Sequence, residues 1–217
     1  MPTPAPEATN AVLDPVLKLA GVRLPAPAAA EAREFIALYY DQVDTEDLGK
    51  RAPEDLYGAA LSHLAFARRF HTGTPKLRVY NPRAEEHGWS SPHTVVEIVN
   101  DDMPFLVDSV SLELARQGCT VHLLVHPLVR TRRDPEGQLE AFAQAGKSGA
   151  GESYIHVEVD RETEPARLKA LGDGLLSVLA DVRAAVEDWP AMRARMEEIA
   201  KELARVPKGV DLSLIHI

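Results

Sequence analysis

The sequence predicts an α+β fold: a sheet assembled as β-α-β-β-α, with a helical subdomain before it and helices after it. Three observations carry this expectation. Val95 to Pro127 reads as an apolar run, an acidic turn, an amphipathic segment, a stop at Gly118 and a second β-rich run. Ser153 to Asp160 alternates cleanly, with Ile155, Val157 and Val159 on one face and Tyr154, His156 and Glu158 on the other. Apolar residues at helical spacing dominate both sides of this unit.

Taken in order, residues 1–27 are Pro/Ala-rich, and they predict a disordered start, a short helix over Ala11–Leu19 and a linker at Leu24-Pro25-Ala26-Pro27. Residues 28–71 form the helical subdomain, with Phe35, Leu38 and Tyr39 as one stripe and Leu56, Ala60, Leu64 and Ala67 as another. Leu77 to Tyr80 alternates as a strand. Val95–Val99 is apolar on both faces except for Glu97, the pattern of an interior strand. The segment Met103–Gln117 carries a stripe of Met103, Leu106, Val107, Val110 and Leu114, while Phe105 and Leu112 lie on another side. The Cys119 and Ser153 strands are expected to pair, and Gln138–Phe142 to fold back on Val129–Arg133 around the turn residues Asp134-Pro135-Glu136-Gly137. Leu168, Leu171, Leu175, Val178, Val182 and Ala185 then hold helical spacing up to Pro190, which is expected to interrupt the helix. Met192, Met196, Ile199, Leu203 and Val206 follow in steps of four and three, the narrow seam of a helix that docks on a partner. Residues 76–188 thus hold most of a ferredoxin-like unit whose last strand is missing, and Leu77–Tyr80 is a candidate to fill the edge. ACT-type modules, which bind small effectors such as amino acids, share this plan.

The net charge of -9 argues against nonspecific binding to nucleic acid. The short basic pieces Arg68-Arg69 and Arg130 to Arg133 read as solvated element ends. A single cysteine, Cys119, rules out an internal disulfide, fits a reducing compartment and reads as a small buried hydrophobe. No run reaches the ~18 apolar residues of a membrane span, and no basic region followed by an apolar core opens the chain, so the cytoplasm is the default.

Two constellations are candidates for chemistry. Asn100-Asp101-Asp102 stands where a strand gives way to a helix, a place where carboxylates cap a helix or face a ligand amine. With Asp108 they form the candidate effector or interface site; acid–base catalysis by the pair lacks a nucleophile or electrophile nearby in sequence. The second is imidazole-rich: His122, His126, His156 and Glu158 can share a sheet face, with Glu97 joining from the central strand. Imidazoles and a carboxylate are competent zinc ligands, but strand alternation alone produces this spacing, and no metal is assigned. The face reads as solvated or interface-facing. Phosphate-loop, dinucleotide, zinc-protease and nucleophile-elbow motifs are all absent.

The unbroken run Val96-Glu97-Ile98-Val99-Asn100-Asp101-Asp102-Met103-Pro104-Phe105-Leu106-Val107-Asp108-Ser109-Val110 resembles the N-terminal region of the large bacterial NAD-specific glutamate dehydrogenases. His126-Pro127, Arg132-Arg133-Asp134, Gly137, Glu152 to Asp160 and Glu187-Asp188-Trp189 continue the likeness, which extends over Phe35–Val206. The resemblance implies an ACT-like, non-catalytic segment of an enzyme that converts L-glutamate to 2-oxoglutarate and ammonia with NAD. It implies no catalytic and no cofactor-binding residue here, downstream catalytic domains in the same chain, a homo-oligomeric parent and a possible amino-acid effector. The alternative is a free-standing ACT-like module that binds a small molecule or a partner. Leu212-Ser213-Leu214-Ile215-His216-Ile217 continues no periodic pattern and matches the translation of a transposase end sequence, so residues 212–217 are expected to be a non-native tail.

Overall fold

The computed structural model describes residues 6–142 and 149–204. Four helices come first: α1 (Pro6–Arg23), α2 (Ala26–Tyr40), α3 (Thr45–Gly49) and α4 (Pro53–Ala67). Then follow β1 (Lys76–Tyr80), the single turn α5 (Ala84–His87), β2 (Thr94–Asp101), α6 (Leu106–Arg116), β3 (Val121–Val125), β4 (Leu128–Arg133), β5 (Leu139–Phe142), β6 (Ala150–Val159) and α7 (Pro165–Ala204). The strands form one six-stranded sheet in the order β1-β2-β6-β4-β5, with β3 also on β6. Every pairing is antiparallel. β1 does take the edge beside β2, in place of the missing last strand of the ferredoxin-like unit.

Alternation in the two central strands sorts the molecule into three layers. Val96 and Ile98 of β2 and Ile155, Val157 and Val159 of β6 face α6 and α7, packing with Leu106, Val110, Leu114, Leu171, Leu175 and Leu179. The opposite face lies beneath the first helices, where Val99 and Tyr154 join Phe35, Tyr39, Leu64 and the buried side of α1. Because both faces are covered, β2 and β6 read as long buried runs. Gly58 sits inside α4 for a steric reason: a β-carbon there would lie 2.1 Å from Cβ of Trp89. A glycine in a helix interior costs about 1 kcal/mol relative to alanine, and here it admits the indole.

Several expectations change. Within the stretch expected to be disordered start and linker, Pro6–Arg23 forms α1 with Val16 and Ala20 fully buried, and only Leu24 and Pro25 separate it from α2. The helices over 28–71 do not close a core of their own, since Phe35 and Tyr39 pack on sheet residues such as Tyr154 and Phe142. Asn100-Asp101-Asp102 does not cap α6. β2 continues through Asp101 because β6 keeps offering partners, and α6 begins only at Leu106. Pro104 contributes, since proline disfavours helical backbone in the residue before it. Pro190 does not interrupt α7, which runs on as one helix of 40 residues. The proline lies in an exposed stretch, where loss of one backbone hydrogen bond is tolerated by solvent. The Gly-rich loop centred on Gly146, Val206 and the 212–217 tail lie outside the described residues, apart from Gly149 to Gly151 at the loop's end.

The first half of α7 is packed and the second half is bare. From Glu187 to Leu203 every residue is exposed, including Trp189, Met192, Met196, Ile199 and Leu203. Among the described residues no helix is long and apolar enough to cross a membrane. Two substitutions should separate the halves in denaturant unfolding. Leu175→Ala is expected to cost about 2–5 kcal/mol, as for a buried leucine left as a cavity. Met196→Ala is expected to change stability by less than about 0.5 kcal/mol; a loss at Met196 comparable to that at Leu175 would contradict this packing.

Candidate functional site

The face of β2 and β6 that meets the first helices carries charges where a core is normally apolar. Glu97, His156 and Glu158 are at most 1% exposed. The two carboxylates find partners from other elements. Glu97 accepts from Arg78 Nε at 2.7 Å and from the Tyr80 hydroxyl at 2.9 Å, both on the neighbouring strand β1. Glu158 accepts from Arg51 Nη1 at 2.7 Å and the Ser91 hydroxyl at 3.1 Å, and it stands 2.9 Å from Nδ1 of His93. His63 reaches in from α4, with Nδ1 3.0 Å from the Tyr39 hydroxyl and Nε2 3.2 Å from the Ile98 carbonyl. Burial of a charge is tolerated only with such pairing.

His156 is the exception. Its Nδ1 is 3.9 Å from Glu97 and its Nε2 is 3.5 Å from Glu158, and neither nitrogen makes a hydrogen bond. Burial opposes a charge on this ring, but the Glu158 and Glu97 carboxylates outweigh it and raise its pKa. Burial acts unopposed enough at His63 to lower it to about 4, so that ring is neutral near pH 7. Burial pushes Glu97 up, yet His63, His156 and Arg78 bring it down to about 2. The surroundings of His156 therefore favour positive charge.

The outer end of this seam opens into a pocket of about 300 Å³, lined among others by Tyr40, Arg51, Trp89, Ser91, His93 and Glu158. The Trp89 indole N–H is buried there without a partner.

The histidines singled out from alternation do not come together. His122 pairs with Asp160 at 2.7 Å and stacks on the ring of His93, while His126 bonds the Ser153 hydroxyl. Only His156, with Glu97 and Glu158 beside it, lies in the buried seam, and that face is covered rather than solvated. His63, Tyr39, Arg51, Arg78 and His93 were missing from the expected set. One signal did exist for His63: it occupies a buried position in the α4 stripe between Ala60 and Ala67, where a polar residue is out of place. Arg133 is also no solvated strand end: it holds Glu152 through two nitrogens, at 2.6 and 2.7 Å, with both side chains nearly buried. Burial pushes the Cys119 thiol up, which leaves it a poor nucleophile.

At the acidic junction the four residues separate into two roles. Arg183 of α7 bonds Asp101 at 2.6 Å and Asn100 at 3.1 Å, and Asp101 also accepts from the Gly73 amide at 2.8 Å. Asn100 and Asp101 thus fasten α7 to the end of β2. Asp102 and Asp108 remain exposed. Between them Phe105 holds φ at 70° with two-thirds of its side chain exposed. Left-handed backbone costs a non-glycine residue about 1–2 kcal/mol, and such strain gathers where a surface is used.

Two measurements check this division. Arg183→Ala is expected to cost about 1–3 kcal/mol, and a double-mutant cycle with Asp101→Ala should return a coupling of about 0.5–3 kcal/mol; independent effects would contradict the pairing. Phe105→Gly is expected to stabilise the isolated chain by about 0.5–1 kcal/mol, because the strain is relieved and little buried area is lost. A clear destabilisation would show that the ring supports the fold.

Comparison with known proteins agrees with this architecture. A family model described as "Glutamate dehydrogenase, ACT1 domain" matches residues 35–175. The NAD-specific glutamate dehydrogenase of Halomonas elongata is 45% identical over 193 residues, which are 87% of this chain and 12% of that protein. The enzyme of the same name from Pseudomonas aeruginosa is 37% identical over 174 residues, 79% of this chain and 11% of its own length. That from Mycobacterium tuberculosis is 28% identical over 145 residues, 65% of this chain and 9% of its own. The chain therefore spans about an eighth or less of the relatives it matches, and it belongs to the ACT1-domain family of glutamate dehydrogenases.

Proposed function

We propose that this segment is a non-catalytic regulatory and assembly part of an NAD-dependent enzyme that converts L-glutamate to 2-oxoglutarate and ammonia. The observation that carries the reading is the bare half of α7. Trp189, Met192, Met196, Ile199 and Leu203 follow one another in steps of three and four along an exposed helix. A contiguous exposed apolar seam of this kind marks an interaction surface. Its partner in this reading is the catalytic remainder of the same polypeptide, consistent with relatives of which this chain spans an eighth. NAD is assigned to that remainder and to no residue of this segment. The exposed edge from Asp102 to Asp108 is the surface for an effector or a neighbouring domain, because Asn100 and Asp101 are already engaged by Arg183.

Supplied with L-glutamate and NAD, the purified 217-residue chain is expected to form no NADH; turnover above the buffer control would contradict a non-catalytic role. Produced in trans with the remainder of the parent enzyme, the chain should co-purify with it, and Met196→Glu with Ile199→Glu should abolish that association. Association indifferent to the double substitution would contradict docking through α7.

A further inference from the structure

Of all the buried polar groups in the described chain, His156 is the least explained: a ring 1% exposed with neither nitrogen bonded. An unsatisfied buried group of this kind calls for a missing partner. One ring nitrogen or carboxylate oxygen from each of His63, Glu97 and His156 lie within 4.8 Å of one another, and all three residues are buried. We propose that His63, Glu97 and His156 form a binding site for a divalent transition metal of the zinc class, seated between α4 and the strands β2 and β6.

The donor set and its surroundings fit that ion. Two imidazoles and a carboxylate make a familiar three-ligand zinc set, and ligands of a tetrahedral zinc with bonds of about 2.0–2.1 Å stand roughly 3.4 Å apart. The 3.9 Å between His156 Nδ1 and Glu97 Oε1 is too long for a hydrogen bond and close to that spacing. A proton on His156 leaves this gap unfilled, whereas an ion between the two groups closes it with small side-chain rotations. The supporting contacts are those that ligands require. Nε2 of His63 faces the Ile98 carbonyl, which fixes Nε2 as the donor and leaves Nδ1 as the ring's acceptor nitrogen, 3.0 Å from the Tyr39 hydroxyl. Arg78 occupies Oε2 of Glu97 and leaves Oε1 turned toward His156, with only the Tyr80 hydroxyl on it. The rearrangement needed is release of His63 Nδ1 by the Tyr39 hydroxyl. The pocket at Arg51, Trp89 and His93 is lined by Glu158, which lies 3.5 Å from Nε2 of His156 at the edge of this site. Bound there, the ion ties a helix of the first layer to two strands of the sheet, and by mass action it favours the folded chain.

The test uses the 217-residue chain, stripped with a chelator and then titrated with Zn²⁺ by calorimetry and with Co²⁺ by visible absorption. The expected result is one ion per chain, a tetrahedral Co²⁺ ligand-field band and a rise in Tm with Zn²⁺. His63→Gln and His156→Gln are each expected to weaken binding by at least about 100-fold, and Tyr80→Phe by about 10- to 100-fold through Glu97. His122→Ala combined with His126→Ala should leave it unchanged. The proposal is overturned if the wild-type chain shows neither a stoichiometric ion nor the Co²⁺ band. It is equally overturned if binding survives His63→Gln and His156→Gln, or is lost with the His122 and His126 pair, which would place the ion on surface imidazoles. If the buried histidine variants do not fold, the wild-type Co²⁺ spectrum and the folded Tyr80→Phe chain still decide the matter: no band, or a band and affinity indifferent to Tyr80, overturns it.

Discussion

The fold depends on one constraint: the inward face of β2 and β6 is charged, and the first helices must cover it without stranding those charges. Glu97 and Glu158 are buried carboxylates, and each is answered by an arginine from outside its own strand, Arg78 from β1 and Arg51 from the chain after α3. An isolated charge in such a place costs several kcal/mol even after relaxation. The helices α2 and α4 therefore cannot slide over the sheet as an apolar layer would. Tyr39 and His63 must meet β2 in register, and Arg51 must reach β6. Burial supplies most of the driving force, and the charged seam selects one arrangement of the layers.

The opposite face shows what the sheet does without that constraint. There α6 and α7 pack on an apolar surface of valine, isoleucine and leucine, and the Arg183–Asp101 ion pair fastens α7 at the end of β2. Beyond that fastening the helix has no sheet left to cover. Its apolar stripe nevertheless continues through Trp189 to Leu203. The change from packed to bare occurs within one continuous helix, just beyond the Arg183–Asp101 contact.

How much of this was legible in the sequence follows from the range over which each signal acts. Strand alternation is local, and it correctly divided Ile155, Val157 and Val159 from Tyr154, His156 and Glu158. The same pattern carries no information about what lies above a face. The neighbours of His156 in the seam come from residues 63 and 97 and the arginine on Glu158 from residue 51, distances in sequence that no periodicity spans. The edge role of Leu77–Tyr80 was readable because the ferredoxin-like plan lacked one strand. The α6 start was misplaced because acidic residues after an apolar run suggest a cap, whereas β6 extends its pairing to Asp101 and holds the chain extended. At Pro190 the ring removes one helical hydrogen bond and crowds a carbonyl one turn back, yet α7 continues, and in its exposed stretch water can satisfy the freed carbonyl.

Joined through the charged seam, the first helices and the sheet should unfold as one cooperative unit. Native-state hydrogen exchange measures this most directly, because it reports the free energy at which each amide opens. Amides of α4 around His63 and of β6 around His156 are expected to open together, at the free energy of global unfolding. Opening of α2 and α4 at a distinctly lower free energy, while β2 and β6 stay protected, would contradict it.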